Sequence, residues 1–96
     1  MVIIQRTSTR PSLDISWAQT TDDFLSYRTQ TYVNTGKLVC EKLLVDDFTL
    51  IYKLTFAVDA DYDAYDSDPK VLEHRTAEEA YISTNGITSN RTVTRS

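Results

Sequence analysis

The chain has 96 residues, enough for one domain with one modest core, since a chain of this size buries roughly two-thirds of the surface its unfolded form exposes. Apolar residues make up 41% and charged residues 25%, with two Gly and two Pro, which excludes a disordered or fibrous chain. A net charge of −4 opposes attraction to a phosphate backbone, so no nucleic acid partner is expected, and the single cysteine, Cys40, excludes an internal disulfide and a thiolate metal site.

Residues Val2 to Thr9 are β-rich and are closed by Pro11, which predicts a first strand. Their apolar run, Val2-Ile3-Ile4, is too short for a signal peptide, and nowhere does an apolar stretch reach membrane-spanning length. Neither secretion nor membrane insertion is expected. Leu13, Ile15 and Trp17 alternate with Asp14 and Ser16, which permits a short extended segment before the next element.

Thr20-Thr21-Asp22-Asp23 supplies a hydroxyl N-cap followed by carboxylates where the helix dipole favours them. Phe24, Leu25, Arg28, Thr31, Tyr32 and Thr35 then recur at helical spacing, and Asn34-Thr35-Gly36 predicts the stop. The clearest pattern comes next. Phe48, Leu50, Tyr52, Leu54, Phe56 and Val58 alternate with Thr49, Ile51, Lys53, Thr55 and Ala57, the signature of a long strand. Before it, Leu38 to Val45 is apolar on both faces, with Leu38, Cys40 and Leu44 on one and Val39, Leu43 and Val45 on the other. Asp46-Asp47 reads as the hairpin turn between the two strands.

A short helix is predicted from Asp59 as N-cap, with Tyr62 and Tyr65 on one face, broken at Asp68-Pro69 and restarted with Pro69 in the first turn of a new helix. In this second helical region Val71, His74, Ala77, Ala80 and Tyr81 form an amphipathic stripe, which Asn85-Gly86-Ile87 ends in the manner of a Schellman cap. Ile87 to Thr94 forms the last strand, and the tail Thr92–Ser96 is left free to pair with a neighbouring sheet edge.

The order is β-α-β-β-α-β in a single domain spanning residues 1–96 with its core in 2–94, an α+β, ferredoxin-like arrangement of a four-stranded antiparallel sheet with two helices on one face. The uncovered sheet face carries Val39, Leu43, Val45 and Ile51; with Trp17 these are the candidate interface residues of a homodimer or higher oligomer.

Aspartates at 59, 61 and 63 imitate the first ligands of a calcium loop, but Ala64 and Lys70 stand where such a loop needs Gly and Glu. The run therefore reads as carboxylates at a helix start on a solvated face. No metal or cofactor site is expected, because phosphate-cradling, nucleophile-elbow and zinc motifs are all missing and only one His is present.

The element order, Thr35-Gly36-Lys37, the aspartate turn into Phe48-Thr49-Leu50, the Tyr62–Pro69 segment and the Tyr81…Asn85-Gly86-Ile87 ending resemble the dimeric α/β-barrel superfamily, which includes antibiotic-biosynthesis monooxygenase-like domains. More narrowly, with Thr9-Arg10-Pro11 near its start, the chain resembles small proteins of marine tailed phages. The phage resemblance implies a non-enzymatic structural or accessory protein that self-associates through its sheet, located in a virion or host cytoplasm and possessing other phage structural proteins as partners. The monooxygenase resemblance implies instead a cavity between sheet and helices, for which Trp17, Asn34, Tyr52 and His74 have suitable chemistry and which Tyr52, Tyr62, Tyr65 and His74 would line. No residue fits a catalytic motif, and none is assigned a catalytic role.

Overall fold

A computed structural model describes residues 1–96. Strand β1 is Val2–Thr9, β2 Leu38–Leu44, β3 Thr49–Phe56 and β4 Thr88–Arg95; all neighbours are antiparallel, in the order β2-β3-β1-β4. The sheet is open and four-stranded, with three helices, a class compatible with the ferredoxin-like arrangement. Helix α1 is Asp22–Arg28, α2 Asp59–Asp66 and α3 Pro69–Thr84. Three helices accompany the sheet, because the break expected at Asp68-Pro69 divides the second helical region into α2 and α3.

The local signals act through identifiable contacts. Thr21 caps α1, its Oγ1 accepting from the Phe24 amide at 3.2 Å. Helix α1 then widens into a π-helical turn over Thr29–Val33, closed by the Asn34 amide donating to the Thr29 carbonyl at 2.8 Å, and Gly36 leaves it at φ +77°. In the β2–β3 turn the Asp46 carboxylate accepts from the Phe48 amide at 2.8 Å, an Asx turn that replaces the usual glycine.

At α2 the cap is Val58, with extended backbone, and not Asp59. The Asp59 carboxylate is drawn outward to Arg95, 3.5 Å away, and to the chain's amino terminus. Asp68 caps α3, its Oδ1 accepting from the Lys70 amide at 3.0 Å with Pro69 in the first turn. Its other oxygen accepts from the hydroxyls of Tyr32, at 2.6 Å, and Tyr27, so one buried carboxylate joins α3 to the end of α1. Helix α3 ends as predicted: the Ile87 amide donates to the Ile82 carbonyl at 3.0 Å, Gly86 adopts φ +67°, and Ile87 is buried.

The inward stripe of α3 runs through Val71, His74, Glu78 and Ile82, while Ala77 and Ala80 are exposed. At 3.6 residues per turn a line through 71, 74 and 78 continues to 82, and positions 77 and 80 rotate toward solvent. Ser12–Thr20 forms turns and irregular backbone with no strand. The tail is not free: β4 pairs with β1 as far as Arg95↔Val2, and the Ser96 amide donates to the Met1 carbonyl at 3.0 Å.

The core lies at one end of the covered sheet face. Val2, Phe56 and Leu38 are cross-strand partners and almost fully buried, and Tyr32, Tyr62, Tyr65 and Val71 close over them from the helices. Tyr62 and Tyr65 meet Phe56 with ring centroids 5.5 and 5.2 Å apart, and Tyr65 meets Tyr32 edge-on at 5.0 Å.

Candidate binding cavity

Successive rungs across the covered face change character. The first joins Leu38, Phe56 and Val2, with Arg95 at its edge, and the second joins Cys40, Leu54, Ile4 and Val93, all apolar. The third joins Lys42, Tyr52, Arg6 and Arg91. Three cations share this transverse row: Arg6, at the centre, is half-buried, and Lys42 and Arg91, on the two edge strands, are exposed. Above this rung the helices and sheet do not close, leaving a cavity of about 340 Å³, at the small end of the range for ligand pockets, ~300–1,000 Å³.

The cavity walls combine apolar surface from Ile4, Leu50, Leu54, Val71 and Ile82 with the charged side chains of Arg6, Arg28, Lys42, Arg75, Glu78 and Arg91. Their pairing is uneven. Arg6 is ion-paired to Glu78, while Arg75 and Arg91 share Asp66 at 3.1 and 3.8 Å. Arg28 is only 5% exposed and makes no ion pair; its guanidinium donates to the Tyr52 hydroxyl at 2.9 Å and lies over the rings of Phe24 and Tyr52. Lys42 likewise has no carboxylate within ion-pair distance. The chain is acidic overall, yet its cavity is cationic.

His74 registers this field. Its ring stacks on Phe24 at 4.1 Å, with Nε2 3.4 Å from Glu78. Burial lowers its pKa below the ordinary value, and the charges of Arg28, Arg6 and Arg75 lower it further, so the imidazole is neutral near pH 7. Asp68 lies below the ordinary carboxylate value: burial pushes it up, but the hydroxyls of Tyr27 and Tyr32 and the Lys70 amide outweigh that. Burial pushes the Cys40 thiol up, consistent with a small apolar filler.

The irregular segment between β1 and α1 passes over the cavity and brings Trp17 to its wall. Arg10 holds it there, with its guanidinium 4.9 Å from the Trp17 ring centroid and donating to the carbonyls of Ile15 and Asp47, and the Tyr81 hydroxyl donates to the Ser16 carbonyl at 2.7 Å. Trp17 is therefore on the helix side and not on the open sheet face with Val39, Leu43, Val45 and Ile51.

Of the residues anticipated for a cavity, Tyr52, Tyr65 and His74 line it together; Tyr62 does not, being packed on Phe56, and Asn34 lies exposed at the end of the π-helical turn. The arginines were missed. Their signal was a charged residue in apolar register: Arg6 shares the buried phase of β1 with Val2 and Ile4, and Arg28 follows Phe24 by one helical turn. The acidic run is divided among separate partners, with Asp59 and Asp63 at Arg95, Asp66 at Arg75 and Arg91, and Asp68 buried, and no three metal-ligating side chains cluster.

On the open face, Val39, Leu43 and Val45 are more than half exposed and Ile51 partly so; Leu43, Val45 and Ile51 lie together, and the Glu41↔Lys53 rung separates them from Val39. The β1–β4 half of that face carries Ile3 among Gln5, Thr7, Thr9, Thr88, Asn90, Thr92 and Thr94, so it is predominantly polar.

No protein-family model, curated protein or solved structure matches the chain. No helix is long and apolar enough to cross a membrane.

Proposed function

We propose that the protein binds a small organic anion in the cavity between sheet and helices. The observation that carries this reading is Arg28: a residue 5% exposed, with no carboxylate partner, beside a cavity whose walls are partly apolar. Burying a charge without a counter-charge is costly unless another group supplies one. An anionic ligand does so here, with its charged group at Arg28 and Tyr52 and its apolar body against Ile4, Leu54 and Val71. This is the ligand-binding form of the monooxygenase-like resemblance, on an α+β fold compatible with a ferredoxin-like arrangement.

The test is a titration of Trp17 fluorescence, the chain's single tryptophan, with naphthalene-2-carboxylate and its neutral analogue 2-naphthalenemethanol. Saturable quenching by the carboxylate, at least tenfold tighter than the alcohol and reduced to the alcohol's level in Arg28→Met, is the expected result. Equal affinity for acid and alcohol would overturn the reading.

A second reading is carried by the apolar side chains of Leu43, Val45 and Ile51 on the open face, with Val39 beyond the Glu41↔Lys53 rung: a non-enzymatic accessory or structural protein, of the phage type it resembles, that self-associates through the β2–β3 half of its open face. Light scattering at micromolar concentration reads this directly, and a monomer there removes it.

A further inference from the structure

Resting on the reading of the cavity as an anion site, we infer that its ligand carries a doubly charged phosphate monoester head on a small apolar body. Counter-charges are distributed so that the cations fall into two sets. Arg6, Arg75 and Arg91 are matched by Glu78 and Asp66. Arg28 and Lys42 are matched by none, and both adjoin Tyr52: Arg28 donates to its hydroxyl at 2.9 Å, and Lys42 is its cross-strand partner on β2.

Both unmatched cations line the cavity and both adjoin Tyr52, Arg28 through its hydrogen bond and Lys42 through cross-strand register. A single head bearing two charges satisfies both, whereas a carboxylate satisfies one and leaves the other without a counter-ion. Arg28 supplies a planar fork suited to two phosphate oxygens, Lys42 a mobile point charge for the third, and Tyr52 a hydroxyl able to donate once an anion replaces it as the guanidinium's acceptor. Next to Tyr52 the sheet wall is apolar. Leu50 and Leu54 flank Tyr52 on the same face of β3, with Ile4 and Val71 beyond, so the ester's organic part lies on hydrocarbon and free phosphate would leave that surface uncovered.

The experiment is isothermal titration calorimetry at pH 8 with phenyl phosphate, phenyl sulfate, inorganic phosphate and phenol. Phenyl phosphate and phenyl sulfate share size and tetrahedral shape but differ by one charge, because the second phosphate ionisation lies near pH 6. Phenyl phosphate should bind at least tenfold tighter than phenyl sulfate and tenfold tighter than inorganic phosphate. Lys42→Gln, at an exposed position that leaves folding intact, should weaken phenyl phosphate much more than phenyl sulfate and so remove most of the phosphate-over-sulfate preference. Lys53→Gln, the same charge change on the opposite sheet face, should alter neither.

Equal binding of phenyl phosphate and phenyl sulfate, both tighter than phenol, would overturn the dianion and leave the anion site standing. Binding of both esters no tighter than phenol would overturn both. Inorganic phosphate matching phenyl phosphate would overturn the apolar body, and an equal loss in Lys53→Gln would reduce the preference to long-range charge and overturn the assignment to Lys42.

Discussion

The Arg28 guanidinium donates to the Tyr52 hydroxyl at 2.9 Å, joining the last residue of α1 to the middle of β3 beneath the helices. A charge is thus stabilised by a neutral oxygen and two aromatic faces, in a place where folding alone would favour a hydrocarbon. Removing the two partners should have opposite consequences. Tyr52→Phe leaves the guanidinium without its acceptor and should destabilise by about 1–3 kcal/mol. Arg28→Met removes the buried charge and should leave stability within about 1 kcal/mol of the parent, or raise it. The double variant should recover most of the Tyr52→Phe loss. Urea unfolding of the four proteins checks this, and a larger loss in Arg28→Met than in Tyr52→Phe would show that the arginine is there for folding.

Asp68 should be the most sensitive polar position. It caps α3 and accepts from two tyrosine hydroxyls, so Asp68→Ala removes a cap and leaves both phenols without their acceptor. The expected loss is about 3 kcal/mol, from a cap worth ~1 and buried hydrogen bonds worth ~1 each. Asp68→Asn keeps the cap and should lose less than half of that in the same measurement.

Stability should fall on mild acidification because of His74. Its folded pKa lies below 6.5, so between that folded value and 6.5 the unfolded chain binds more protons, and stability drops as pH falls through the window. His74→Gln should flatten this limb. Asp68 has the opposite kind of group but the same direction: its folded pKa lies below 3.8, so its contribution is present above 3.8 and lost as pH falls toward the folded value. Thermal melts from pH 8 to 3 should therefore show two limbs in the parent and only the acid limb in His74→Gln.

The open sheet face gives a separate test. Leu43 is 60% exposed, so Leu43→Lys should change monomer stability by no more than about 0.5 kcal/mol. If the chain self-associates through this face, the same substitution should shift the scattering mass toward the monomer.

How much of this was legible in the sequence depended on the range of the interaction. The Thr21 cap, the Asp68-Pro69 restart and the Asn85-Gly86-Ile87 ending are set by side chains bonding to backbone a few residues away, and they were readable from spacing alone. Val58 displaced Asp59 as the cap of α2 because Asp59 is taken by Arg95, distant in sequence. The stripe of α3 was misjudged at Ala77 and Ala80 for a similar reason: several small or polar residues fit a helical period, and the sheet beneath chooses which of them face inward.

The element order, the alternation along β3 and the helix boundaries were determined by the sequence itself, since local propensity and capping suffice for them. The cavity was decided only by tertiary structure. Register placed Lys42, Tyr52, Arg6 and Arg91 on one rung, and α1 lowered Arg28 onto it. Cross-strand register and helix packing join residues 6, 28, 42, 52 and 91, which no periodicity along the chain relates, and it is this joining that gives an acidic protein a cationic cavity in which Arg28 and Lys42 have no ion-pair partner.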